Sequence, residues 1–597
     1  MAAAASLFSL LTNPIAAQRD NAVPATADAR TIAHVLDRIG FGAKPGDVER
    51  VQHMGLTAYI DRQLHPEKIA DPALDTQLEQ YTTITMSSKE LADKYYMPAL
   101  EVRRDAQLKQ QKAAAKAAKS DDTTMTSGGV STDAKPAPTP VPPEVRQVQQ
   151  AQANVMNELM QSRVLREVDS DKQLEEVLTD FWFNHFNVFV GKGQVRQYLT
   201  EYERDVIRPH VLGSFRDLLG ATAHSPAMLF YLDNWQSSTP NAGPMLTPEM
   251  ERRLNSPRVT PSQKQQLMSR LDAAKKNAPK GLNENYGREL MELHTLGVDG
   301  GYTQQDVINV ARAFTGWTID RPQQGGGFVF RPQMHDTSEK TILGVKFPAG
   351  GGENEGERVL DLLAKHPSTA HHIAYELAQR FVSDTPPPAL VDRAAKRFLD
   401  TKGDLREVTR TIIESPEFFA EDAYRAKVKT PLEFVVSAVR ATGAVVSNPQ
   451  PLIAELRTLG MPLYGCQPPT GYSMTADAWV NTGSLLNRMN FALQLVGGQI
   501  NPGPPGPRAG GAGAAAARNG QPPRLGGPGP RTFGPRGPIQ IDLTTLAPDT
   551  SEQSRTNLIG SMLAGQISDA TARTLARAET PQQLVALTLG SPEFQRR

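Results

Sequence analysis

The chain has 597 residues, 39% hydrophobic and 21% charged, a usage close to that of folded globular proteins. Lys and Arg number 64, as do Asp and Glu, so no net field draws the protein toward nucleic acid or an anionic membrane. The single cysteine, Cys466, excludes an intrachain disulfide framework and a cysteine-based zinc site, and the length suggests roughly two to four domain-sized cores.

In chain order, residues 1–29 open with MAAAASLFSLLTNPIAAQ, an apolar run followed by small residues and then polar Gln18 and Arg19. This has the h-region and cleavage pattern of a signal peptide, without the basic n-region, and it predicts an exported protein, periplasmic or extracellular. No later stretch offers the ~18 consecutive apolar residues of a membrane helix, so an integral membrane protein is not expected. A helical part over 30–108 is followed by a low-complexity insertion, 109–143, whose Ala/Lys/Gln start favours helix without an apolar face and whose Pro-rich end reads as a linker. The main helical body runs over 144–500. A second insertion, 501–538, is rich in Gly, Pro and Ala and carries Arg508, Arg518, Arg524, Arg531 and Arg536 without an acidic residue. Its GPPGPR triplets break at once, so no collagen helix is predicted. Both insertions read as disordered loops within the body, and residues 539–597 return to helical pattern.

Within the body, Leu174, Val177, Leu178, Phe181, Trp182 and Phe186 recur at helical spacing and define one buried face. Thr303 and Asp306 form a capping box ahead of a stripe at Val307, Val310, Ala311 and Phe314, with Gly316 placed to end the helix. Further helices are predicted over 371–382, 389–399, 405–414, 431–442 and 482–496. The clearest strand signals, 327–331 and 341–347, predict one small hairpin around 334–340. The repeated ESPEF and GSPEF, at Glu414–Phe418 and Gly590–Phe594, read as Ser-capped helix restarts. The fold class is therefore mainly α: a multi-helix body with a small β-hairpin and two disordered insertions.

Two polar residues fall on faces that the periodicity buries. His185 lies in the apolar stripe that begins at Leu174. Glu289 projects into the arc formed by Tyr286, Leu290, Leu293 and Leu296, whereas Glu284, Arg288 and Glu292 make a solvated ladder opposite. A buried carboxylate must be paired, protonated or metal-bound. One reading is a Glu–Arg or Glu–His bridge between helices. The other brings Glu289 and His185 together as an acid/base pair, with His294, Asp299, His335 and Asp336 as candidate ligands of a divalent metal. No zincin motif, nucleophile elbow, P-loop or dinucleotide fingerprint is present. Cys466, among Gly and Pro, reads as a small structural residue, and the adjacent His371 and His372 point to different helix faces.

The passages HVLDRIGFGAKPGDVERV (34–51), FWFNHFNV (181–188), VIRPHVLGSFRDLL (206–219), NENYGRELMELHTLGVDGGYTQQDV (283–307) and ARAFTGW (311–317) resemble one bacterial family. So do His335–Asp336, KTPLEFVVSAVRATG (429–443), PTGYSMTADAWVNTGSLLNRMNFAL (469–493) and the terminal SPEF. It is catalogued as a domain of unknown function, number 1800. The resemblance implies an exported, mostly helical protein, often encoded beside another exported family, number 1501, related to phosphatases and sulfatases. It supplies no catalytic residue set. Two functions follow as expectations: an exported binding or assembly component that works with such a phosphatase- or sulfatase-like partner, or a hydrolase using Glu289 and His185 with or without a divalent metal.

Overall fold

The computed structural model describes residues 22–121, 142–240, 252, 256, 259–276, 281–498 and 538–597. The protein is mainly α-helical, with three two-stranded antiparallel sheets among the described residues. The signal-like start and most of both insertions lie outside the described residues; of the first insertion, residues 109–121 continue the helix Met97–Asp121.

The helices that position the site are α1 (Ala29–Ile39), α2 (Pro143–Asp169), α3 (Gln173–His185), α4 (Asn285–Glu292) and α5 (Gln304–Ala313). They are followed by α6 (Asn354–Ala364), α7 (Pro367–Phe381), α8 (Pro431–Ala441), α9 (Thr482–Val496) and α10 (Pro581–Leu589). The periodic stripe of α3 is buried as its spacing requires, and the Trp182 indole N–H donates to the Val211 carbonyl at 3.2 Å. Thr303 and Asp306 close the capping box on α5 with both reciprocal bonds, and Thr430 with Glu433 does the same for α8. Buried apolar side chains from Ile32 to Phe594 form one continuous cluster, rather than the several cores that chain length suggests, with a small satellite at Leu91, Tyr96 and Val155.

Three local expectations are corrected. The segment 327–331 does not pair with 341–347. Strand β1 (Trp317–Ile319) pairs with β2 (Phe328–Phe330), and β3 (Lys340–Ile342) pairs with β4 (Val345–Phe347). Leu343 and Gly344, both at positive φ, make a two-residue turn inside what reads as a single strand. A third pair joins β5 (Val445–Val446) to β6 (Ile539–Gln540), on either side of the second insertion. The helical arc that runs through Leu296 in the sequence stops at Glu292, where the amide of His294 donates to the Glu289 carbonyl and the Thr295 hydroxyl donates to the Leu290 carbonyl at 2.6 Å. The two SPEF sequences do not restart helices. Ser415 and Ser591 each accept from the amide three residues on, but the turn does not propagate, because Phe418 and Phe594 are drawn into the core.

The C-terminal residues return to the start of α8. Lys427 and Arg597 exchange backbone hydrogen bonds at 3.2 and 2.9 Å, and the Lys429 amide donates to Gln595 at 2.9 Å. This clamp carries a buried ion cluster in which Glu433 meets Arg380 at 3.0 Å and Arg597 at 2.9 Å. Burial pushes the Glu433 carboxyl up, but the two guanidinium groups outweigh it and hold it at about 2. No helix of the described residues is long and apolar enough to cross a membrane.

Candidate functional site

His185 ends α3 with its ring packed edge-on against Trp182 and Phe186. Its carboxylate partner is not Glu289 but Glu376 on α7: Nδ1 lies 2.6 Å from Oε2. Its Nε2 faces the His294 carbonyl at 3.3 Å. His372, one turn before Glu376, points Nε2 at the Leu293 carbonyl at 3.2 Å and lies 3.7 Å from the other carboxylate oxygen. The Glu376 carboxylate thus sits between two imidazoles. Burial pushes it up, yet His185 and His372 leave it below its ordinary value. Both nitrogens of His185 face acceptors within the protein, so neither is turned toward a substrate or a metal. The cluster ties α3, α7 and the turn after α4 together.

His294 is buried, with Nε2 lacking a hydrogen-bond partner, and its ring packs on Phe186. Burial, with two imidazoles nearby, holds it far below its ordinary value and therefore neutral. Glu289 is half-buried, and no hydrogen bond or ion pair joins its carboxylate to another described residue. Burial and neighbouring Glu292 raise its carboxyl above the ordinary value. The expected meeting of Glu289 with His185 therefore does not form, nor does a bridge from Glu289 to Arg or His. Of the opposite ladder, Arg288 pairs with Glu284 at 3.4 Å.

The remaining candidate ligands lie apart. Asp299 is exposed. His335 donates from Nδ1 to the Thr315 carbonyl at 2.8 Å and lies 3.5 Å from Glu355, which Lys340 meets at 2.7 Å. Asp336 is held by Arg312 at 2.9 Å, and with Ser338 this outweighs burial and depresses its carboxyl. These pairs fasten the β3–β4 hairpin to α5 and α6. Among the described residues, no group of three or more His, Cys, Asp or Glu side chains is arranged to hold a metal ion. Cys466 is buried, and burial pushes its thiol up to about 11, which keeps it protonated at neutral pH.

A second feature was not foreseen. Between α1, the segment ahead of α8 and the C-terminal clamp lies a cavity of about 250 Å³, with walls that include Arg30, His34, Asp37, Arg425, Lys429 and Phe594. His34 reaches the Phe418 carbonyl at 2.9 Å and stacks on Tyr424, and burial, with Arg38 beside it, holds its imidazole down at about 3. Arg38 itself is fully buried and donates to the carbonyls of Phe381 and Val382 at 3.2 and 2.9 Å. A more open depression of about 440 Å³ lies along α2, walled by Gln149, Met156, Asn157 and Met160.

The sequence pattern pointed to His185 because its helix stripe was long and regular. It missed Glu376, for which one signal existed: His372 and Glu376 stand at i, i+4 on a helix otherwise buried through Ile373, Ala374, Leu377 and Ala378. Asp37 and Lys429 are almost 400 residues apart in sequence, and no local pattern links them.

The fold and these sites define a mainly helical protein with a charged cavity between α1 and the C-terminal clamp. The chain belongs to the family described as Protein of unknown function (DUF1800), whose model matches residues 34–596. No curated protein and no solved structure matches it.

Proposed function

We propose that the protein is an exported binding component, with the cavity beneath α1 as its ligand site. One observation carries this reading: the cavity's charged walls are held in place before any ligand arrives. Arg425 donates to the carbonyls of Gln566 and Leu563, Glu593 accepts from Ser568 and Thr571 at 2.8 Å, and the 427–429 segment is clamped to 595–597. A preorganised concave site with a few convergent polar groups is what small-molecule binding requires, because little ordering entropy is left to lose. The histidine cluster supports a binding role over hydrolysis, since His185 is turned toward Glu376 and a backbone carbonyl. Export and action beside a phosphatase- or sulfatase-like partner belong to the same proposal; they rest on the N-terminal pattern and the family resemblance.

The test is a thermal-shift screen of small polar metabolites on the full chain, repeated on Ala33→Leu, which narrows the cavity from α1 without altering a charge. Ligands that raise the melting temperature of the wild type should lose their effect on the variant. Shifts that survive Ala33→Leu unchanged, or a panel with no shift at all, would refute the site.

A further inference from the structure

We infer that the cavity takes a small anion, a carboxylate or a phosphate, against the ammonium of Lys429; the inference rests on the cavity being a ligand site. Lys429 is only 4% exposed, and its Nζ lies 4.0 Å from the centre of the Phe594 ring. Among the described residues its ammonium has no hydrogen-bond acceptor and no ion-pair partner. Asp37 and Glu433 act on this ammonium only beyond ion-pair distance, and the cation–π contact offsets only part of the cost of burying it. Its backbone is held in place. Its amide donates to Gln595, its carbonyl accepts from Arg488 at 2.7 Å, and Thr430 next to it caps α8.

Each neighbouring buried cation has at least one acceptor, although Arg38, Arg380, Arg488 and Arg597 each keep one N–H without a partner. Arg380 and Arg597 share Glu433, Lys427 holds Asp384 and the Met474 carbonyl, and Arg488 donates to Gln595 at 2.8 Å. The acids of the wall are equally committed: Glu421 to Arg30, and Glu593 to Ser568 and Thr571. Asp37 is the exception. It lines the same cavity without an ion pair to Lys429, and it faces a ligand as an acceptor for a hydroxyl or ammonium. A ligand with an acidic group beside such a donor would satisfy both side chains, and the cavity volume limits it to a small molecule.

Titration calorimetry on the full chain at constant ionic strength decides the matter, with sodium phosphate, sodium succinate and, as neutral probe, glycerol. At least one anion should bind saturably, and which one binds assigns phosphate or carboxylate as the source. Lys429→Met should weaken that binding by roughly 10–100-fold, the range of one charged hydrogen bond. Should Lys429→Met not fold, Ala33→Leu takes its place: loss of anion binding there supports the site, and retention overturns it. Anion binding unchanged in Lys429→Met sinks the proposal. Neutral ligands from the thermal-shift screen that bind in an Ala33-dependent way, with neither anion binding, overturn the anion assignment but leave the binding site standing. No binding of any probe removes both.

Discussion

The carboxylate of Glu376 joins three parts of the chain, because His185 comes from α3, His372 from its own helix, and both rings also touch the turn after α4. Glu376→Gln keeps the shape and removes the charge. It should lower unfolding stability by about 1.5–3 kcal/mol, the range for a hydrogen bond to a charged group. The folded carboxyl lies below its ordinary value, so its contribution is complete above the unfolded value and disappears as the pH falls through the folded one. The gap between wild type and variant in urea unfolding should therefore be widest near neutrality and close in acid. A gap that stays constant with pH would show that the charge is not what holds the cluster. Helix phase shows that the His185 imidazole points inward but not which acid it meets, because it gives the direction of a side chain and not its partner on another helix.

At the scale of elements, caps and stripes were legible and strand pairing was not. The capping box expected at Thr303 and Asp306 forms, and α9 occupies the expected span, because these patterns act within a few residues. The β3–β4 pair depends on a turn at Leu343 and Gly344 inside a run that reads as one strand. Helix α6 shows the opposite limit of local rules. Gly356 stands in it where Ala would raise helix propensity by about 1 kcal/mol, yet a methyl group there would come within 2.4 Å of Cζ2 of the fully buried Trp317. Gly356→Ala is expected to destabilise the protein by a net ~1–3 kcal/mol through overpacking. Thermal unfolding checks this, and a stabilised variant would mean that the indole can shift.

For the whole molecule, two buried imidazoles set a pH dependence. His34 and His294 are held neutral in the fold, whereas in the unfolded chain they protonate near pH 6.5. Below that value the unfolded state binds more protons. Stability is therefore full above about pH 6.5 and falls as the pH drops toward the folded values, by up to about 1.4 kcal/mol per pH unit for each ring. Urea midpoints between about pH 7 and pH 4.5 should slope downward, and a flat profile would contradict the burial of both rings. Sequence alone determined the helical class, the main stripes and caps, and the family, because periodicity and capping are short-range and motif blocks are read in order. Tertiary structure decided which carboxylate His185 meets, that Glu289 meets none, and that Asp37 and Lys429 face one cavity. Those outcomes depend on how α1, α7 and the C-terminal clamp close on a single core, and long-range packing of that kind leaves no periodic trace in the chain.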